Sequence, residues 1–477
     1  MTGICREKSS MSRKLRAGVG FDGNGLTSGS YADPEMLDIF SAENSVTKWL
    51  EFEAALARSE SRVGVIPDEA GAEITRAAHE LRIDISEMRD EVEFALHPVV
   101  PMVRRLAAAC ESDFGGLVHW GATTQDVMDS GLSLQIREAS SLIDSEVVRL
   151  MRAAIELAEQ HANSAMPGRT HAQHAVPITF GYKVAVWLDE LTRTHQAALQ
   201  DAEQILAIQF GGATGTLAAL GSKGLEVREV LAAELGLSVP VVTWHASRDR
   251  LLRFGFHCLL LAITCQKIGR EVTELQRTEI LELEEPFHYG KVGSSTMPHK
   301  RNPAMAETLM ALGSIAQGEF AGLVTASVQG HERDMAAWQQ EWDRLPRLTV
   351  FAHRAVQLAA EVLEGLQVNV ERMKQNVGIS RGLILSESTM MGLAARIGRQ
   401  EAHELVYDAA MTAHQTGADF FETLRASDLL PSDVDIAGLA ERPETLEAAP
   451  IFVKDVVDAA RAHLDTIREA GLVADDE

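Results

Sequence analysis

Between Leu132 and Met166 the chain runs without Gly or Pro, and Ile136, Ile143, Val147, Leu150, Ile155 and Leu157 recur near helical spacing. Apolar residues at that period predict one long helix. A second run opens at Pro177, a residue suited to a first helical turn, and reaches Phe210. Further runs extend from Ser247 to Leu283, Pro303 to Val328 and Pro346 to Leu366. Some carry apolar residues around most of their girth, as in FGFHCLLLAITCQKIG at 254–269. A helix of that kind must be covered on most sides. The pattern predicts an all-α protein with a central bundle of five long helices, buried further against other subunits.

On either side the texture is choppier. From Asp33 to Gly121 short helical patterns are broken by Gly64, Pro67, Pro98 and Pro101, and after Leu366 the breaks are GISRGLILSES and DLLPSDVD. The expected organisation is a flexible leader at 1–30, an N-terminal helical domain at 31–121, the bundle at 122–366 and a C-terminal helical domain at 367–477.

Composition sharpens this. Apolar residues make up 46% of the 477 positions and aromatics only 5%, which favours helix over sheet. The formal charge of −25 repels phosphate backbones and anionic lipid, so no nucleic-acid or membrane partner is expected. Cys5, Cys110, Cys258 and Cys265 form no CxxC pair and point to a reducing compartment. The basic start, MTGICREKSSMSRKLRAGVG, lacks an apolar core of signal-peptide length, and the unbroken run CLLLAIT is too short to span a bilayer. A cytoplasmic location is expected. Cys258 and Cys265 share a helix face and read as core.

Chemistry concentrates in three segments. GSSTMPHKRNP at 293–303 combines Gly293, after Gly290, with Pro298 and Pro303, which limit the loop's ensemble. Its Gly293-Ser294-Ser295 run can present successive N–H groups to an anion. Removing a proton beside a carboxylate builds an electron-rich intermediate, which calls for a base and for cations and N–H donors around it. Ser294 is a poor base unless its alkoxide is stabilised, as Lys300 and the N–H nest would do. A plain substrate-binding or phosphate-binding turn fits the same spacing. In GRTHAQHAVP (168–177), between the first two long helices, His171 is a candidate acid. His171 and His174 lack the further ligands a metal needs, so no metal is expected. HWGATTQDVMDS (119–130) offers Thr123, Thr124 and Gln125 as neutral donors to a carboxylate, while Thr123, Thr124 and Asp126 equally suit a helix cap. FGGATGTLAALG (210–221) reads as a tight turn, and EILELEEP (279–286) as a solvated helix end.

Taken in order, these segments resemble the fumarase/aspartase superfamily over about residues 31 to 460. DPEMLDIFSAENSVTKWLEFEAALA, VHWGATTQDVMD, RTHAQHAVPITFGYKVAVWLDEL, WHASRDR and ERDMAAWQQEW look most like its 3-carboxy-cis,cis-muconate cycloisomerase and adenylosuccinate lyase branch. The resemblance implies a homotetramer with a twenty-helix core, active sites assembled from three subunits, and no cofactor. It implies Ser294 as base and His171 as general acid or proton shuttle. It places Thr123, Thr124, Gln125, Lys300 and Asn302 on carboxylate-binding positions. Arg169, Thr170 and Arg248 join the expected substrate-binding set, the two arginines as local positive charge, alongside His299 and Arg301. The implied reaction is β-elimination from a succinyl-type di- or tricarboxylate, with cleavage of a carbon–nitrogen bond (an N-substituted aspartate or nitrosuccinate) and release of fumarate. The alternative is the lactone chemistry of the cycloisomerases.

Three departures narrow the substrate. Ser30-Tyr31 stands where adenylosuccinate lyases usually carry Arg-Tyr, MAAWQQEW brings Trp338 and Trp342 after ERD, and Ala172 replaces the glycine of GRTHGQ. Adenylosuccinate is therefore disfavoured.

Overall fold

The computed structural model of the chain describes residues 28–287, 296–297, 299–440 and 446–471. Five long helices dominate: Thr124–Gln160, Phe180–Ile205, Asp249–Leu275, Ala304–Ala326 and Met335–Glu364. The first, at 37 residues, is about 55 Å long at 1.5 Å per residue. Contacts divide the described residues into two compact units. One comprises the chain up to Leu142 with Gln200–Leu259 and Ile315–Arg354, and the other Ile143–Leu199, Leu260–Ser314 and the chain from Ala355. All five long helices therefore run through both units.

The first unit shows how the sequence sets its elements. Ser41 Oγ accepts the Asn44 N–H at 3.1 Å to cap helix Ala42–Val63, and Gly64 closes that helix at φ 71°. The wholly buried Phe52, Ala55 and Leu56 of this helix join Val127, Leu134 and Phe210 in one apolar cluster. The first long helix begins at Thr124, not Leu132, and runs through Gly131. A Cβ there would lie 2.9 Å from Trp49 Cδ1, so the glycine lets the two helices approach.

Other expectations shift. The fifth long helix starts at Met335, with Pro346 inside it. Proline there withholds the N–H that the Trp342 carbonyl would receive. Buried Leu345, Leu348, Phe351 and Ala352 on both sides keep the helix continuous by packing. The supposed leader loses its end, since Ser28–Tyr31 forms a helical turn. Residues 1–27 lie outside the described residues. Two short antiparallel sheets punctuate the all-α body: Ala165–Thr170 pairs with Gln173–Thr179, and Leu283–Glu284 with Gln367–Val368. Cys258 and Cys265 are buried, as expected. Helices Asp249–Leu275 and Ala304–Ala326 are long and apolar enough to cross a bilayer by length and composition alone, a length that the unbroken run CLLLAIT understated.

The acidic stretch 279–286 is not a solvated helix end. Glu282 and Glu285 are buried, each paired to a neighbouring segment.

Glu60 is buried on helix Ala42–Val63, and its Oε1 has no hydrogen-bond partner among the described residues. Burial, then the nearby Glu53, pushes its carboxyl up to about 9. The folded protein thus keeps a proton that the unfolded chain gives up near the ordinary value of 4.5. Stability from this group is complete below that value and is lost as pH rises towards about 9. Glu60→Gln is therefore expected to raise Tm, with a gap that widens between pH 5 and 9, about 1.4 kcal/mol per unit at most. A gap that is flat or narrows in thermal melts across that range contradicts the assignment.

Candidate active site

At the foot of the first long helix, Asp126 reaches back to the Thr123 N–H at 3.0 Å, so the expected cap comes from the aspartate. The same carboxylate accepts the N–H groups of Gly211 and Gly212 at 3.0 and 2.9 Å and faces His245 Nε2 at 2.8 Å. This fixes the tight turn in FGGATGTLAALG against the helix start. Thr123, relieved of capping, and Gln125 face Arg333: Nη1 donates to Thr123 Oγ1 at 2.7 Å and Nε to Gln125 Oε1 at 3.1 Å. Gln125 Nε2 donates to the His245 carbonyl at 3.0 Å. Its amide therefore orients Arg333, and is not a free donor to substrate. Thr124 Oγ1 meets His97 Nε2 at 3.0 Å. Burial, then the charges of His119 and Arg333, holds His97 below its ordinary value. Burial disfavours the charged form of His119, yet wholly buried Glu53, 2.6 Å away, more than offsets this and raises it.

Arg333 was not among the residues that sequence reasoning selected. Its signal was the cation inside ERDMAAWQQEW, where the two tryptophans stood out instead.

Arg248, expected to face a substrate anion, is buried. Its guanidinium bonds Asp129 at 2.7 and 3.0 Å and Glu341 at 3.0 and 2.5 Å. Burial disfavours the charge, and the two carboxylates more than offset that penalty. Trp338 Nε1 donates to Asp129 at 3.1 Å, so this tryptophan belongs to the same buried network.

In the second unit, the hairpin Ala165–Thr179 presents His171 and Ala172 at its two-residue turn, with φ 51° and 63°. A two-residue hairpin loop matches the strand twist when both residues are left-handed. Thr170 and His171 are exposed there. Arg169, two residues back, forms a two-pronged pair with Glu282 at 2.9 and 2.7 Å, so its charge is largely answered inside the protein. Burial, then Arg169, lowers the pKa of His174. In the signature loop, the Lys300 N–H bonds the Met297 carbonyl at 3.1 Å and the Ala304 N–H the Asn302 carbonyl at 2.9 Å. Lys300 is exposed and Asn302 half-buried. Ser294 lies outside the described residues. Among the described residues no group of His, Cys, Asp or Glu suits a metal ion.

Comparison with known proteins decides the family. The family model described as Lyase matches residues 29–318, and the one described as Adenylosuccinate lyase C-terminus matches 382–456. The chain belongs to the fumarase/aspartase superfamily. It is 40% identical to an N-acetyl-S-(2-succino)cysteine lyase of Enterococcus italicus, over 83% of this chain and 87% of that one. It is 43% identical to a 3-carboxy-cis,cis-muconate cycloisomerase of Pseudomonas aeruginosa, over 78% and 82% of the two chains. The crystal structure of the 3-carboxy-cis,cis-muconate lactonizing enzyme from Pseudomonas putida superposes with a TM-score of 0.85 at 35% identity, covering 92% of this chain and all of that one. The protein is a lyase of this superfamily, whose members act on carboxylates.

A guanidinium held by a hydroxyl and an amide keeps its charge, and a carboxylate is the anion whose geometry matches its fork. Arg333→Ala is expected to lower kcat/KM by about tenfold to a hundredfold, the worth of a charge-assisted hydrogen bond. Steady-state kinetics within about twofold of the unmutated enzyme would remove Arg333 from the site.

Proposed function

We propose that the chain eliminates a leaving group from a 2-substituted succinate and releases fumarate, with a carbon–nitrogen bond as the one broken. The observation that carries this reading is the Arg333 cluster. Thr123 and Gln125 fix the guanidinium by one N–H each and leave donors on Nη1 and Nη2 for a substrate carboxylate. In this reading Ser294 takes the proton beside that carboxylate, the C–H pair becomes the new double bond, and the leaving atom departs with the pair of the broken bond. Lys300 and the loop N–H groups stabilise the charge that develops on the carboxylate. No electron is gained or lost overall, so the reaction requires no redox cofactor. His171, exposed at its turn, returns a proton to a departing amine. Its neighbours Thr170, Ala172 and His174 line a cleft of about 780 Å³ with Ser380, Ser386 and His414, room for a polar leaving group.

Two named relatives favour variants of this chemistry. The N-acetyl-S-(2-succino)cysteine lyase favours sulfur as the leaving atom, and a thiol of ordinary pKa about 8.5 departs readily as thiolate. The cycloisomerase relative favours lactone opening or closing. Purine nucleotides stay disfavoured, since Ser30 brings no cation to a phosphate.

The test is ultraviolet detection of fumarate with a panel of N-substituted aspartates, nitrosuccinate, N-acetyl-S-(2-succino)cysteine and 3-carboxymuconate. Fumarate is expected from at least one succinate, and Ser294→Ala should lose several powers of ten. Consumption of 3-carboxymuconate without fumarate from any succinate would make the chain a cycloisomerase. His171→Asn then separates leaving groups. General-acid catalysis contributes about 10²–10⁴, so that loss is expected for an amine, against about tenfold for nitrite or thiolate.

The site is proposed to be shared within a homotetramer. Only 39% of the most apolar stretch of helix Ala304–Ala326 is buried within the chain, and Val324, Val328 and Phe256 are exposed. A soluble monomer tolerates little contiguous apolar surface. Light scattering is expected to give a mass near four chains of 51.9 kDa, and a stable active monomer would sink the shared-site reading.

A further inference from the structure

The acidic run 279–286 holds two buried carboxylates three residues apart, and each one grips a segment that the proposed elimination uses. Glu282 is wholly buried. It accepts both Arg169 Nη groups and, at 2.7 Å, Asn376 Nδ2. Its own backbone is pinned as well: its N–H bonds the Leu275 carbonyl, and its carbonyl accepts the Asn369 N–H, both at 2.9 Å. Arg169 lies two residues before His171 on the hairpin.

Glu285, on the other side of the short strand Leu283–Glu284, is 3% exposed. Its Oε2 accepts the N–H groups of Met305 and Ala306 at 2.9 and 3.0 Å. These amides belong to the first turn of helix Ala304–Ala326, where N–H groups lack helical partners and favour a negative charge. The Glu285 N–H bonds Gln276 Oε1 at 2.9 Å, and Gln276 Nε2 donates to the Arg301 carbonyl at 3.2 Å. Arg301 sits between Lys300 and Asn302. The exit of the signature loop is thus tied at two points to the same short stretch that holds the hairpin.

We infer that Glu282 and Glu285 are positioning residues, Glu282 setting the His171 hairpin through Arg169 and Glu285 setting Lys300 and Asn302 through the first turn of the following helix and Gln276. The inference rests on the reading that His171, Lys300 and Asn302 serve the elimination. The physical argument is one of cost. Burying a carboxylate costs several kcal/mol, and a well-packed apolar residue often stabilises a fold as well as a buried ion pair does. What apolar side chains do not provide is directional hold on a guanidinium and on two aimed N–H groups. A misplacement of about 1 Å in such groups costs about a hundredfold in rate.

The test uses the full-length protein with Glu282→Gln, Glu282→Ala, Glu285→Gln and Glu285→Ala. Glu285→Gln keeps an acceptor oxygen for the two amides and is expected to hold kcat within about threefold, whereas Glu285→Ala loses about a hundredfold at nearly unchanged Tm. Glu282→Gln loses the charged two-pronged pair and falls about tenfold, Glu282→Ala about a hundredfold. Kinetics use the panel member that the unmutated enzyme converts to fumarate. Hydrogen exchange is read on the same proteins without substrate. Glu285→Ala is expected to speed exchange at Met305, Ala306 and Asn302, and Glu282→Ala in 168–177. Turnover within about threefold in both alanine variants, equal losses in Glu285→Gln and Glu285→Ala, or unaltered exchange at those amides overturns the inference. Failure of the unmutated enzyme on every panel member overturns the elimination reading instead, and the exchange pattern alone then decides this one.

Discussion

A guanidinium taken almost wholly out of water is tolerable only if its charge and all its directions are answered, and Arg248 meets that demand with two carboxylates. Asp129 comes from the first long helix, Glu341 from the fifth, and Arg248 itself stands just before the third. Removing Arg248 would leave two carboxylates in the interior with no counter-charge, a cost of about 3–5 kcal/mol. Burial holds the Glu341 carboxyl above its ordinary value, and Arg248 offsets this only in part. Asp129 comes shortly after Thr123–Gln125 on one helix, and Glu341 shortly after Arg333 in the chain. The buried network therefore fixes the spacing between Arg333 and its hydroxyl and amide partners. A cation expected to touch substrate is instead buried among the elements that carry Arg333 and its two partners.

The same logic recurs with smaller charges. Asp126 gathers the Thr123 N–H, two glycine N–H groups and His245 at one helix foot. Arg169 and Glu282 lock a hairpin. In a chain of net charge −25, the acids that matter to the site are the few taken inside and paired, and the excess sits in water. Two cations differ from these: Arg333 bonds the neutral oxygens of Thr123 and Gln125, and Lys300 is exposed.

The features legible in the sequence were those that periodicity and spacing encode. Three of the five long helices lie inside their expected runs, because a helix in a bundle must repeat its apolar face, and the other two start earlier, at Thr124 and Met335. The signature loop, the GRTHAQHAVP segment and the Thr-Thr-Gln turn stand out as candidates by residue type alone. The features that escaped depended on contacts between distant segments. Pro346 reads as a helix start locally, and only the buried residues on both of its sides make it an interior residue. Glu282 and Glu285 look solvated until the partners at 169 and 305–306 are known. Arg248 and Arg333 are equally cationic in the sequence, and their different fates are set by whether two carboxylates or a hydroxyl and an amide await them. The hairpin was hidden because neither turn residue is glycine.

That last point has an evolutionary side. His171 and Ala172 both sit in the left-handed region, where a side chain bearing a Cβ costs about 1–2 kcal/mol. Glycine at 172 would relieve part of that, and every alanine codon is one base from a glycine codon. The relief lies a single mutation away, yet the chain keeps its methyl group. A turn made of two non-glycine residues has fewer accessible shapes than one with glycine, in the unfolded chain as well as the folded one. The strain is thus a form of memory: the loop that carries the candidate acid is narrowed in its choices before any ligand arrives, and mutational drift towards the easier residue would blur that.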